Sequence, residues 1–227
     1  MRLIALLSFF AEDEQYIEGD LRDLYALGVS EVVAVDGSYS RYNGPARSSL
    51  SLIEKMYFLT KQLNMGLLLY QPTKPWIGDE VQKRQVMIDL AWSIAENEDW
   101  FVVWDCDYKL IDTSIDTPDW ATIALKLMST EEDFATVSFT ESNNDDGWHQ
   151  MQMFIRAQLV TMDGNHHTYL LADGRRGQVL RRPVPNMADA LDLSEIKVRH
   201  RVHERDSGRR AKQTAYYEKR DRLGLES

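Results

Sequence analysis

Two carboxylates separated by a single residue, Asp105 and Asp107, stand at the end of an apolar run, Phe101-Val-Val-Trp104. Side chains two apart on a strand point to the same side. The pair is therefore expected to converge where the strand leaves the core. Converging carboxylates repel unless a proton or a cation sits between them. A divalent metal with hard oxygen ligands, its shell completed by water or phosphate, meets that need. The alternative is a strand end whose Asp side chains make turn hydrogen bonds. Cys106 lies between them and is the one cysteine of the chain. On a strand it faces the core, although a thiol there could also serve as a soft metal ligand. A lone cysteine excludes an internal disulfide and suits a reducing, cytoplasmic setting.

Other polar residues fall where they could join this chemistry. Asp36-Gly-Ser38 follows the run Glu31-Val-Val-Ala-Val35. There a carboxylate could accept from a base N–H or a ribose hydroxyl, with Gly37 allowing close backbone approach; a plain turn is the alternative. Lys83 and Arg84 open a long helical stretch. Cations at a helix start run against the dipole preference, which points to an anion such as a diphosphate. His200 closes an alternating run, Ile196-Lys-Val-Arg-His, and could complete a metal site from another part of the chain. His166-His167 and Asp145-Asp146 are further candidates for proton transfer. Arg205, Arg209, Arg210, Lys212, Tyr216, Tyr217 and Arg220 form a cationic, aromatic stretch. Guanidinium groups of this kind suit phosphate oxygens; an amphipathic helix with its tyrosines inward is the alternative.

The elements that must position these residues are legible in the apolar pattern. Strands are expected at 3–10, 31–35, 66–70 and 100–104, and helices at 13–27, 48–63 and 79–96. Gly28 stops the first helix, and Val81, Val86, Ile88, Leu90, Ala91 and Ile94 should face inward on the third. A helix at 118–129 with Pro118 in its first turn, a strand at 134–140, one or two strands within 148–162 and an edge or late strand at 196–202 follow. Residues 207–227 read as a basic helical tail. Strand and helix alternating in this way predict an α/β fold with a mostly parallel central sheet and helices on both faces. In such sheets ligands bind beyond the carboxyl ends of the strands, which is where Asp36 and Asp105 fall.

The 227 residues suit one domain, with a nucleotide-binding half at 1–112 and an acceptor-side half at 113–206. No stretch reaches membrane-span length. The apolar start, Met1 to Phe10, runs at once into Ala11-Glu-Asp-Glu14 and reads as a core strand rather than a signal peptide. The net charge of −10 is uneven: residues 175–222 carry 14 Lys+Arg and 7 Asp+Glu, against 12 and 29 elsewhere. A basic segment on an acidic body suits an anionic ligand, while the acidic body disfavours a general nucleic-acid binder. Neither GxGxxG nor GxxxxGK[ST] occurs, which disfavours a dinucleotide-dependent dehydrogenase and a P-loop nucleotidase.

In this order, the pieces resemble family 2-like glycosyltransferases of the GT-A fold, including small phage-encoded ones. Leu6-Leu-Ser-Phe-Phe-Ala-Glu12 looks like that family's opening, and Val33-Ala-Val-Asp36-Gly-Ser38 like its nucleotide-contacting strand. Asp105-Cys-Asp107 stands at its Asp-x-Asp motif, Gly164-Asn-His-His167 at its late acceptor-side motif, and Ile196 to His200 at its last metal-binding strand. The resemblance implies transfer of a sugar from a UDP- or GDP-linked donor, with Mn²⁺ or Mg²⁺ as cofactor. Asp36 and Ser38 would meet the nucleoside, Asp105 the sugar nucleotide, and Asp107 and His200 the metal. Lys83, Arg84, Arg205 and Arg209 would add positive charge near the diphosphate. The Glu that often follows the late His is here Thr168. The catalytic base is then open among Asp145, Asp146 and His167, and both inverting and retaining chemistry remain open. Protein, glycan and a modified DNA base are all open as acceptor. A nucleotidylyltransferase of similar fold and a non-catalytic nucleic-acid-binding protein are the alternative readings.

Overall fold

The structure is a computed structural model that describes residues 1–10, 14–40, 45–77, 80–111, 119–141, 147–158, 160–163, 168–178 and 188–201. The first half alternates as expected: β1 (Leu3–Ser8), α1 (Glu14–Ala26), β2 (Val29–Val35), α2 (Leu50–Gln62), β3 (Gly66–Tyr70), α3 (Val81–Trp92) and β4 (Trp100–Asp105). The second half continues with β5 (Tyr108–Leu110), α4 (Trp120–Ser129), β6 (Phe134–Thr140), β7 (His149–Arg156), β8 (Val160–Met162), β9 (Thr168–Leu171), β10 (Arg176–Gln178) and β11 (Ala190–His200).

Eight strands form one sheet in the order β3-β2-β1-β4-β7-β6-β11-β5, and β10-β9-β8 form a small antiparallel one. β3, β2, β1 and β4 are parallel, and so are β6 and β11. β7 runs against both its neighbours, and β5 against β11. β1 lies between two parallel strands, and Leu3 to Leu7 are wholly buried. Each such aliphatic side chain contributes about 1.5–3 kcal/mol of burial, so the least alternating segment of the sequence sits at the centre of the sheet. Because β4 pairs with β7, the two halves of the sequence share one sheet.

Right-handed crossovers put α1 and α2 on one face. α3 carries the chain back from β3 to β4 and lies on the other face, against β1 and β2. Ser49 caps α2 by accepting from the Leu52 N–H at 3.3 Å, and Asp119 caps α4 by accepting from Thr122 at 2.8 Å. Gly28 ends α1 at φ +82°, a conformation that glycine adopts without strain. No helix among the described residues is long and apolar enough to cross a membrane.

Three expectations need correction. α3 is shorter than 79–96, and its buried residues are Lys83, Arg84, Met87, Ile88 and Ala91. Ile88 and Ala91 face inward as expected and Val86, Leu90 and Ile94 pack half-buried against the core, while Lys83 and Arg84 join the inner face because both find oxygen partners inside. β11 is the late strand of the two alternatives, but it begins earlier than expected, at Ala190, and lies inside the sheet between β6 and β5. Strands β5 and β10 are too short to leave a periodic signal and were not expected, and β9 takes up the short strand that residues 164–169 allow as an alternative to a loop. The segment 148–162 does contain two strands, β7 and β8. Pro118 and the tail at 207–227 lie outside the described residues.

Candidate functional site

The strand directions bring the carboxyl ends of β1, β2, β4, β6 and β11 to the same edge of the sheet. Strand order reverses between β1 and β4, the topological switch at which open α/β sheets bind ligands. Phe9, Asp36, Asp105, Glu141 and His200 all lie along this edge. Lys83 and Arg84 reach it from the first turn of α3.

Asp105 and Asp107 do not converge. β4 ends at Asp105, and Cys106-Asp107 is a turn leading into β5, so strand alternation does not govern Asp107. Asp105 turns to Arg84, whose Nη2 donates to both carboxylate oxygens at 2.8 Å. Glu80 lies 3.7 Å from the same nitrogen. Burial works against the Arg84 charge, but Asp105, Tyr169 and Glu80 outweigh it and hold the guanidinium firmly protonated. The Tyr108 hydroxyl lies near the same carboxylate, and burial, then the Asp105 charge, pushes it well above the usual phenol range. Burial is the main cause pushing the Tyr169 hydroxyl up to about 12, with the Arg84 charge opposing it. Asp105 is therefore a partly exposed carboxylate at the rim of a buried Arg-Tyr-Tyr cluster.

Asp107 turns instead to β11. His200 Nε2 lies 3.1 Å from Asp107 Oδ2, and His200 Nδ1 lies 3.9 Å from Glu141 Oε1. The imidazole is held by edge-on contacts with Tyr108 at 5.5 Å and a tilted contact with Phe139 at 6.1 Å. Tyr108 pairs with His200 across the β5–β11 ladder, which explains why the short strand matters: it sets the Asp107 turn beside the end of β11. The Arg201 N–H, donating to the Asp107 carbonyl at 2.6 Å, closes the same join.

Asp36 is turned inward. Its Oδ1 accepts from Gly37 N and Ser48 Oγ, each at 2.6 Å, and its Oδ2 from Ser48 N at 2.7 Å and Gln71 Nε2 at 2.9 Å. A carboxylate offers about four acceptor positions, so this one is filled by the protein, and the residue is wholly buried. The expected base or ribose contact is therefore not made by the Asp36 carboxylate in this conformation. Ser38 donates to the Pro45 carbonyl at 2.6 Å and is buried as well. Gly37 adopts φ +115°, and a Cβ there would lie 2.6 Å from Pro72 and 2.8 Å from Trp76 Nε1. The 36–38 turn is thus a closed junction between the ends of β2 and β3.

Lys83 Nζ donates to the Phe9 carbonyl at 2.7 Å and the Gly37 carbonyl at 3.1 Å. It ties the ends of β1 and β2 together rather than presenting its charge to a diphosphate. Lys83 and Arg84 defy the helix-dipole preference because each has strand-end oxygens to reach. His167, Asp145, Asp146, Arg205 and Arg209 lie outside the described residues.

The structure adds residues that the sequence reading does not single out: Glu141, Tyr108, Tyr169, Asp20 and Arg201. Asp20 carried a usable signal, because it falls on the apolar stripe formed by Ile17, Leu21 and Leu24. It is wholly buried and accepts from Arg201 Nη2 at 2.6 Å. Tyr108, Tyr169 and Arg201 carried none, since only strand pairing brings them in. Cys106 faces inward as expected and donates to Asp20.

Among the described residues, no group of three or more His, Cys, Asp or Glu side chains is arranged to hold a metal ion. Asp107 and His200 supply a hard oxygen and an imidazole nitrogen, hydrogen-bonded to each other at 3.1 Å. Two cis ligands of an octahedral ion with bonds of about 2.1 Å stand roughly 3 Å apart, so the spacing of the pair matches two positions of such a shell once the hydrogen bond between them gives way to the ion.

No protein-family model and no curated protein matches the sequence. Among solved structures, the chain aligns with the inositol-1-phosphate CTP transferase from T. maritima over 94% of its own length and 95% of the other. Identity is 10% and the TM-score 0.43, a level that bears on neither the activity nor the residue roles of this chain.

Proposed function

We propose that this chain is a transferase acting on a nucleotide-activated donor at the carboxyl edge of the large sheet. A divalent cation, Mn²⁺ or Mg²⁺, would sit between Asp107, His200 and the donor phosphates. The observation that carries the reading is the meeting of Asp107 and His200, 93 residues apart, at the strand ends beside the topological switch. Mg²⁺ and ions like it are commonly held by one or two protein ligands plus substrate phosphates. A two-donor site therefore suits a cation that arrives with a diphosphate. Bound there, the cation would neutralise the phosphate leaving group.

Two bond changes are compatible with such a site. In glycosyl transfer, the bond between the anomeric carbon and the diphosphate oxygen breaks. The acceptor oxygen takes the sugar and loses its proton, and a nucleoside diphosphate leaves. The resemblance to family 2-like glycosyltransferases supports this version. In nucleotidyl transfer, an acceptor phosphate oxygen attacks the α-phosphorus of a nucleoside triphosphate and pyrophosphate leaves. This version needs no sugar contact from Asp105, and the Arg84–Asp105 pair supports it, because Arg84 already engages both Asp105 oxygens.

The test is direct. Calorimetry with UDP, GDP and nucleoside triphosphates, with and without Mn²⁺, should show cation-dependent binding. Product analysis then separates the versions: UDP or GDP released from a panel of nucleotide sugars means glycosyl transfer, and pyrophosphate released from triphosphates with sugar or polyol phosphates means nucleotidyl transfer. If no nucleotide binds in a cation-dependent way, the reading fails.

A further inference from the structure

We infer that Asp20, on α1, is a positioning residue that sets the separation of Asp107 and His200; this rests on the proposal that the pair holds a divalent cation. The Asp20 carboxylate touches neither residue. It holds a chain neighbour of each: the residue before Asp107 and the residue after His200. Oδ2 accepts from the thiol of Cys106, which precedes Asp107, at 3.2 Å, and Oδ1 accepts from Arg201, which follows His200, at 2.6 Å. Trp104 Nε1, near the end of β4, donates to Oδ1 at 3.2 Å. One wholly buried carboxylate thus joins the turn that carries Asp107 to the strand end that carries His200, across 86 residues on one side and 181 on the other.

α1 grips the same junction at two more points. The Arg201 guanidinium lies 4.4 Å from the centre of the Tyr16 ring, a cation–π contact from one turn earlier. Asp23, one turn later, accepts from the Leu110 N–H at 2.9 Å and so fixes the far end of β5. The arrangement has the logic of outer-shell groups at metal sites, which orient the ligands they do not join and whose loss typically weakens metal affinity about 10–100-fold. Buried core contact alone would not require the acceptor to reach both flanks of the candidate ligand pair.

The experiment uses the full chain and Mn²⁺ alone, with free Mn²⁺ followed by its electron paramagnetic resonance signal. Asp20→Asn keeps the side-chain size and replaces one of the two oxygens that accept from Arg201, Cys106 and Trp104 with an N–H₂. The control is Asp99→Asn. Asp99 is a buried carboxylate at the opposite end of the strands, bonded to Arg2 at 2.6–3.0 Å. The expected result is Mn²⁺ affinity about tenfold or more weaker in Asp20→Asn, and within about twofold of the parent in Asp99→Asn, although both lower the melting temperature. Should Asp20→Asn fail to fold, Arg201→Lys keeps the charge but not the guanidinium geometry, and an affinity loss of several-fold is expected. Parent-like Mn²⁺ affinity in the folded variant overturns the inference and leaves the cation reading standing, as does an equal loss in Asp99→Asn. If the parent chain binds no Mn²⁺ either alone or together with UDP, GDP or a nucleoside triphosphate, the cation reading falls and takes the inference with it.

Discussion

Asp107 and His200 meet with 3.1 Å between Oδ2 and Nε2, and the short strand β5 makes the meeting possible. Asp107 sits in the two-residue turn before β5, and β5 pairs antiparallel with the last three residues of β11. If the pair binds a cation, Asp107→Asn should weaken Mn²⁺-dependent nucleotide binding by more than the roughly tenfold loss of an outer-shell group. Far-UV circular dichroism should be unchanged. Calorimetry checks the first and spectra the second; retained metal dependence would remove Asp107 from the site.

Arg84 and Asp105 form a pair in which the cation is buried and the carboxylate reaches the surface. Removing one partner of a buried pair costs about 3–5 kcal/mol. Here Asp105 can regain water, so Arg84→Met should lie near the low end, about 3 kcal/mol. The double variant Arg84→Met/Asp105→Asn should recover part of that loss. Urea denaturation midpoints of the three proteins measure both.

The Asp36 carboxylate has four donors around it. Asp36→Asn replaces an acceptor with an N–H₂ that must face one of them. Leaving a buried polar group unsatisfied costs about 1–3 kcal/mol, and the loss should show as lower thermal stability. If the carboxylate served only the nucleoside, stability would hold and only nucleotide affinity would fall.

Asp20 should give the fold a pH signature. Burial pushes its carboxyl up to about 8, while Arg201, Cys106 and Trp104 pull it down and Asp23 pushes it further up. Its folded value lies above the unfolded value, so the folded chain keeps a proton that the unfolded chain releases. The stabilisation is complete below about pH 4 and is lost as pH rises toward 8, with a slope approaching about 1.4 kcal/mol per pH unit. Asp20→Asn should flatten stability across that window, as urea titrations at pH 5, 6, 7 and 8 would reveal; an unchanged slope would contradict it.

The sequence by itself determined the alternation of strands and helices through β4, because burial period and caps are local properties of consecutive residues. Leu3 to Leu7 reads as a strand buried on both faces wherever it is placed, and Gly28 stops a helix wherever that helix lies. The same local logic put Asp36 and Asp105 at strand ends. Tertiary structure alone decided what each charge does. Lys83 and Arg84 read as cations waiting for a diphosphate, yet one reaches two backbone carbonyls and the other Asp105. Asp105 and Asp107 read as a converging pair, yet a chain turn after Asp105 sends them to different partners. The reason is physical: a buried charge is held by whichever opposite charge or carbonyl the crossovers bring within about 3 Å. Separations of 21, 93 and 181 residues are fixed by strand order, which local spacing does not encode.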